Sequence, residues 1–128
     1  MAVSDDETKI GAVLGRMKIK DEEEITEIVI YKRNEVDGKY HLEKARAFEF
    51  KEACITFSFR KENTCELLFF TTSEVFAFDY MDEQRDRERI YELDNKLEDQ
   101  PKFGVFNDDQ TKFIVTSSMD ILYVDMRQ

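Results

Sequence analysis

One short pattern occurs three times in this chain at nearly equal intervals. Each copy is an acidic residue followed by four mostly apolar or aromatic residues, and the copies occupy residues 27–31, 74–78 and 120–124. Their acidic residues lie 47 and then 46 positions apart. Short runs of β-branched and aromatic residues between polar turns favour strands. The spacing therefore predicts a chain built from repeated β units of one kind.

The second and third units share more than this strand. Before it, each has a β-like run, a polar turn and a further apolar run that ends on three hydroxyl residues. In the second unit the runs are 54–59 and 68–73 around a turn at 60–66, and in the third they are 102–106 and 113–118 around a turn at 107–112. A period in the forties is the length of one four-stranded propeller blade.

The ends of the repeated strands resemble those of WD-repeat β-propellers. In that family the strand after a Ser/Thr-rich turn usually ends in Trp-Asp, and the matching pairs here are Phe78-Asp79 and Val124-Asp125. The Gly-His pair that commonly opens a WD repeat is absent. The resemblance covers residues 26–128 and implies an all-β chain of two to three degenerate blades that is part of a larger propeller. It also implies a non-catalytic protein–protein interaction scaffold, a subunit of a larger assembly.

The repeat also sets the expected organisation of the chain. We expect a flexible acidic N-terminus at 1–8 and a single β-repeat domain at 9–128. Its blade-like units should cover about 9–50, 51–97 and 98–128.

Each blade needs an outer strand as well. Residues 40–45 and 91–94 fit this role, because both segments begin at a tyrosine and alternate apolar with polar residues. Asp37-Gly38, just before the first of them, is the signal of a two-residue hairpin turn. We further expect residues 10–19 to form an earlier strand.

Residues 82–97 also fit a different structure. Ile90, Leu93 and Leu97 have the i, i+3, i+7 spacing of an amphipathic helix. Their neighbours include strong helix formers. A helix there would make the chain a small α+β, pleckstrin-homology-like barrel, which would be a self-contained domain that binds a peptide or a lipid headgroup.

The charge balance bears on the kind of partner. The 29 acidic residues outnumber the 19 basic ones, and the net charge is −10. Nucleic-acid binding needs basic residues gathered on one face, so no nucleic-acid partner is expected. An acidic surface favours a basic protein partner instead.

No sequence signal directs the chain to secretion or to a membrane. No basic N-terminal flank precedes an apolar core, and no apolar run approaches the roughly 20 residues of a membrane span. Two cysteines, Cys54 and Cys65, make a poor disulfide framework. These features predict free thiols, no membrane partner and a cytoplasmic location, with the nucleus as the alternative.

We predict no catalytic residue, no cofactor and no metal site. His41 is the single histidine and has no sequence signal for a catalytic partner. One histidine without a Cys-x-x-Cys pair does not build a typical zinc site. Asp79 and Asp125 look like a carboxylate pair, but their repeat positions indicate that each stabilises the turn of its own unit.

The last repeated strand is the candidate interface. Ile121, Leu122, Tyr123 and Val124 form an apolar strand that no outer strand follows in this sequence. An unpaired strand edge invites pairing with another chain, so we expect another protein chain or a second copy to add a strand there. The repeat also predicts six buried residues: Phe70, Val75, Phe78, Val115, Ile121 and Tyr123.

Overall fold

The fold is all-β. The computed structural model describes residues 2–4, 8–13, 18–20, 23–50, 52, 54–62, 65–82 and 86–127. Every helix or strand assigned among these residues is a β-strand. The strands are β1 (Ala2–Val3), β2 (Lys9–Val13), β3 (Lys18–Lys20), β4 (Glu23–Val36), β5 (Lys39–Phe50), β6 (Cys54–Phe59), β7 (Glu66–Thr71), β8 (Glu74–Asp79), β9 (Glu88–Glu92), β10 (Phe103–Phe106), β11 (Lys112–Thr116) and β12 (Ile121–Asp125).

The first sheet is built around the long strand β4. Strands β2, β3 and β5 all pair with β4 in the antiparallel sense, and β1 pairs with β2. The repeated segment 27–31 lies within β4. Strand β1 falls within residues 1–8, the segment expected to be a flexible terminus, and it pairs with residues 10 and 11 of β2.

The turn between β4 and β5 is the predicted hairpin. Val36 pairs with Lys39, and both residues between them have positive φ angles, 52° at Asp37 and 75° at Gly38. Positive φ at both positions defines a type I′ turn, whose twist suits a two-residue hairpin. The Asp-Gly dipeptide therefore sets the register of the β4–β5 hairpin.

The second and third sheets are antiparallel meanders. The second has the order β6-β7-β8-β9, and the third has the order β10-β11-β12. The repeated segments 74–78 and 120–124 lie in β8 and β12, the third strand of each meander. A four-stranded antiparallel sheet is the form of a propeller blade, and the second sheet has this form.

The two meanders share one register when residue numbers are shifted by 46. The corresponding cross-strand pairs are Leu67–Phe78 with Phe113–Val124, and Phe70–Val75 with Thr116–Ile121. The sequence comparison matched 68–73 with 113–118, which is a shift of 45 and is wrong by one residue. A slip of one residue exchanges the two faces of a strand, and the backbone pairing decides the register here.

The α+β alternative is wrong, because the described part of 82–97 contains a strand and turns. Strand β9 pairs with β8, and residues 83–85 lie outside the described residues. Ile90 in β9 and Leu93 and Leu97 in the following turns all pack against the same core. Their helix-like spacing therefore reflects a strand followed by turns that return to that core.

Phenylalanine rings fill the space between the first and second sheets. Phe57, Phe69 and Phe76 lie side by side on β6, β7 and β8, and their successive ring centroids are 5.6 and 5.1 Å apart. From the first sheet, Phe48 and Phe50 approach the Phe69 ring to 6.4 and 4.9 Å between centroids. Phe69 is fully buried at the centre of this cluster.

A second core joins the second and third sheets. The ring of Phe70 on β7 lies 5.1 Å from that of Phe106 and 5.6 Å from that of Phe113. Val75 and Val115 are fully buried in the same core.

The sheets are stacked in one direction along the chain. Leu67 and Phe69 face the first sheet, and their counterparts in the third sheet, Phe113 and Val115, face the second. Each sheet from the second onward therefore turns the same face towards the sheet that precedes it.

Strand β10 approaches the second sheet too closely for a side chain at Gly104. A Cβ atom there would overlap the buried ring of Phe70. The Thr56 hydroxyl donates a hydrogen bond of 2.7 Å to the carbonyl oxygen of Gly104. Nearby, Gln110 Nε2 donates to the carbonyl oxygen of Phe59 at 2.9 Å. Side-chain hydrogen bonds to backbone groups thus join β6 to β10 and to the turn that follows β10.

We expect Phe69→Ala to lower the free energy of unfolding by about 3–5 kcal/mol, because it empties the centre of the first core. Tyr40→Ala is the control, since this ring is largely exposed on β5, and it should cost less than about 1 kcal/mol. Urea denaturation followed by circular dichroism measures both. Equal effects of the two substitutions would contradict the assigned core.

Gly104→Ala should destabilise the chain by about 1–3 kcal/mol, because the added methyl group meets a ring that is itself packed on two sides. The double variant with Phe70→Leu is the matched control. Adding Gly104→Ala to Phe70→Leu should cost less than adding it to the wild type. If the cost is the same in both backgrounds, the close approach of β10 to β7 is not the cause.

Candidate interaction surface on the third sheet

Strand β12 has two different faces. Leu122 and Val124 are partly buried and pack against the second core. Ile121 and Tyr123 are 71% and 59% exposed. The prediction that Ile121 and Tyr123 are buried is wrong, because no sheet among the described residues covers the side of the third sheet on which they lie.

Three of the other four predicted core residues are buried as expected, and the fourth is partly buried. Phe70, Val75 and Val115 are buried, and Phe78 is partly buried against the first core. Val75 and its counterpart Ile121 occupy the same position of the repeat. The difference in their burial therefore comes from the sheets that lie next to them.

The edge of β12 is the second feature of this surface. Residues 121–125 pair with β11 on one side, and no described strand pairs with the other side. By contrast β8, the counterpart of β12, pairs with both β7 and β9. In the described part of the chain, the third sheet therefore has one strand fewer than the second.

The hydroxyl-rich ends of β7 and β11 close turns. Thr71 Oγ1 accepts hydrogen bonds from the backbone N–H groups two and three residues later, at 3.3 and 3.1 Å. Ser117 Oγ accepts the equivalent two hydrogen bonds, both at 3.1 Å. These hydroxyls are occupied in turn formation, which explains why they recur at a fixed place in the repeat.

Asp79 and Asp125 each stabilise the turn of their own unit, as predicted. Asp79 Oδ1 accepts a hydrogen bond from Met81 N at 2.9 Å, and Asp125 Oδ1 accepts one from Arg127 N at 3.0 Å. The Arg127 side chain also donates to Asp125 at 3.1 Å, which lowers the pKa of that carboxyl.

The acidic residue that opens the second repeated segment, Glu74, fastens β9 to β8. Glu74 is buried and accepts from Arg89 Nε at 2.7 Å, and its other oxygen lies 3.0 Å from Arg87 Nη2. Arg87 also pairs with Glu52, and its guanidinium lies 4.5 Å from the Phe76 ring centroid. The signal available in the sequence was a pair of arginines two positions apart, Arg87 just before β9 and Arg89 within it.

A cleft of about 460 Å³ lies between β6 and β10. Lys61, Asn107 and Gln110 contribute polar groups to it. Both ends of the Gln110 amide are occupied, since Nε2 bonds the Phe59 carbonyl and Oε1 accepts from Lys61 N at 3.0 Å. Gln110 therefore joins the second and third sheets across this cleft.

The described residues offer little other chemistry. His41 lies exposed on β5, opposite Asn34. No group of three or more metal-ligating side chains occurs in the part of the chain that the structure describes. Within that part, no helix has the length and apolar character needed to cross a bilayer.

Comparison with protein-family models and with curated proteins yields no match for this chain.

Cys54 is a packing residue. It is partly buried against the first core and is a free thiol. Burial, with a further contribution from Glu52, raises its pKa from 9.0 to about 12. A thiol must ionise to act as a nucleophile, so this environment suppresses its reactivity.

At pH 8 the native chain should react with iodoacetamide at Cys54 far more slowly than the chain unfolded in urea. The raised pKa reduces the thiolate population by roughly a thousandfold. Mass spectrometry of the peptide that contains Cys54 gives the rate in both states. A native rate close to the unfolded rate would contradict the burial of this thiol.

Proposed function

We propose that this chain is a non-catalytic protein-interaction module, a subunit of a larger assembly, and that the free edge of β12 takes up a strand from a partner protein. Under this proposal the three sheets are degenerate blades similar to those of WD-repeat propellers. The observation that carries it is a difference between the second and third sheets. Among the described residues, the third strand is paired on both edges in the second sheet and on a single edge in the third sheet.

The composition of the edge supports strand addition. Residues 121–124 are uncharged and apolar or aromatic, and such an edge offers unpaired N–H and C=O groups to an extended segment. Adding a strand satisfies those groups, while side-chain pockets select the sequence.

The second sheet supports the proposal that the partner strand carries basic residues. There β9 brings Arg87 and Arg89 to Glu74 at the start of β8. Asp120 holds the corresponding position before β12, because the register shift of 46 relates it to Glu74. A partner strand with basic residues near Asp120 would repeat this pairing. The net charge of −10 also favours approach of a basic segment.

A synthetic peptide with the sequence of residues 86–93, which contains β9, should bind the edge of β12. Hydrogen exchange of the amides at residues 121–124 reads this directly, because strand addition protects the amides that point away from β11. We expect these amides to exchange more slowly at millimolar peptide. A peptide with both arginines replaced by Glu is the control and should protect them less, since it places like charges near Asp120.

Two results would count against the proposal. One is unchanged exchange at residues 121–124 with millimolar concentrations of the peptide that keeps both arginines. The other is equal protection by both peptides, which would mean that Asp120 does not contribute to binding of the added strand.

A further inference from the structure

One side of the third sheet carries apolar side chains that the described chain leaves uncovered. We call this side the outer face of the third sheet. Backbone pairing aligns its residues in two rows across the three strands, because residues directly opposite each other share a face. The rows are Phe103–Thr116–Ile121 and Val105–Ile114–Tyr123.

These apolar side chains are substantially exposed. In addition to Ile121 and Tyr123, Phe103 is 49% exposed, Val105 is 47% exposed and Ile114 is 39% exposed. Together these five side chains expose roughly 500 Å² of surface. A whole aromatic side chain has about 150–250 Å², and about half of each of the two aromatic side chains here is exposed. A patch of this size is at the upper end for a monomeric protein and commonly marks an interaction site.

The equivalent side of the second sheet is covered. Val75 and Ala77, the counterparts of Ile121 and Tyr123, are buried. Val75 belongs to the core that the third sheet completes. In the second sheet these positions are apolar because another sheet packs on them. The corresponding positions on the outer face of the third sheet are apolar as well, but no described sheet packs on them.

The outer face is also electrically neutral. Neither row contains a charged residue, and the adjoining pair on the same side is Lys112 with Asp125, one charge of each sign. In a chain with a net charge of −10, this is a surface where two copies can meet without opposing like charges.

The outer face has a projection and a hollow. Ile121 is 71% exposed in the first row, and a cavity of about 160 Å³ is lined in part by Val105, Ile114 and Tyr123 of the second row. When a surface carries both a projection and a hollow, a two-fold axis can place each copy's projection in the hollow of the other. Such self-complementarity is the requirement for an isologous dimer contact.

We propose that the outer face of the third sheet packs against the same face of a second copy of this chain, with Ile121 of each copy seated in the cavity of the other. The pair buries about 1,000 Å² in total, which reaches the lower limit for a specific interface. Sheets stack face to face about 10 Å apart, so side chains from the two copies interlock as they do between the sheets of one chain.

This contact is separate from the proposed function. It uses the side chains on one side of the sheet, whereas strand addition uses the backbone edge of β12. Substitutions on β10 and β11 change the face and leave the β12 edge in place, so each proposal can fail while the other holds.

Sedimentation of the full chain between about 1 and 100 μM is the test. The wild type should shift from its monomer mass of 15.2 kDa to twice that mass. Ile114→Lys and Val105→Lys, on β11 and β10, should each raise the dissociation constant at least about tenfold, because they place a charge at the centre of an apolar contact. Leu42→Lys is the matched control, since Leu42 is 56% exposed on β5, and it should leave the dimer unchanged.

A measurement on the wild type guards against variants that fail to fold. The methyl NMR signals of Val105, Ile114 and Ile121 should shift with concentration, while those of Leu42 should not. A wild type that remains monomeric at 100 μM would overturn the proposal. Dimers that persist in both folded face variants, or face methyl signals that do not move, would overturn it as well.

Discussion

Every part of this structure depends on the burial of the second sheet on both sides. Its middle strands, β7 and β8, carry apolar side chains on each side, including Phe69 towards the first sheet and Phe70 towards the third. A strand with two apolar faces is stable in water only when a layer covers each of them. The first and third sheets supply those layers, and their aromatic side chains fill the two cores.

This stacking explains why the units resemble one another in their turns as well as in their strands. For one sheet to cover the next, its apolar residues must fall on the correct face, and a register slip of one residue would expose them. The Thr71 and Ser117 hydroxyls and the Asp79 and Asp125 carboxylates hold the turns at both ends of the third strand with equivalent hydrogen bonds. The polar part of the repeat therefore maintains the register that the apolar part requires.

The same stacking also determines which groups the third sheet exposes. A sheet that receives a neighbour on only one side presents its other side to solvent, and its last strand presents a free edge. Glu74 shows that an outer strand can be held by a buried carboxylate and two arginines, while Asp120 has the corresponding place without such a strand among the described residues. Edge and face are thus two surfaces of one sheet that offer different groups: backbone N–H and C=O groups at the edge and apolar side chains on the face.

The local pattern of the sequence was enough to predict strands, several turns and much of the core. The period of 46–47 residues placed β4, β8 and β12, and Asp37-Gly38 predicted the hairpin because few dipeptides accept two positive φ angles. Burial of Val75 and Val115 followed from the same repeat. These features depend on neighbours along the chain and on the alternation of faces, both of which can be read from residue order.

Tertiary structure decided the rest. Residues 82–97 have the spacing of a helix, but β9 forms because Glu74 and the edge of β8 receive it. The alignment of the second unit with the third differed from the true register by one position, since similar side chains at neighbouring positions cannot distinguish a shift of 45 from one of 46. Ile121 and Val75 occupy the same place in the repeat, yet one is exposed and the other is buried. The sequence determined that both are apolar, and only the presence or absence of an adjacent sheet determined which of them meets water.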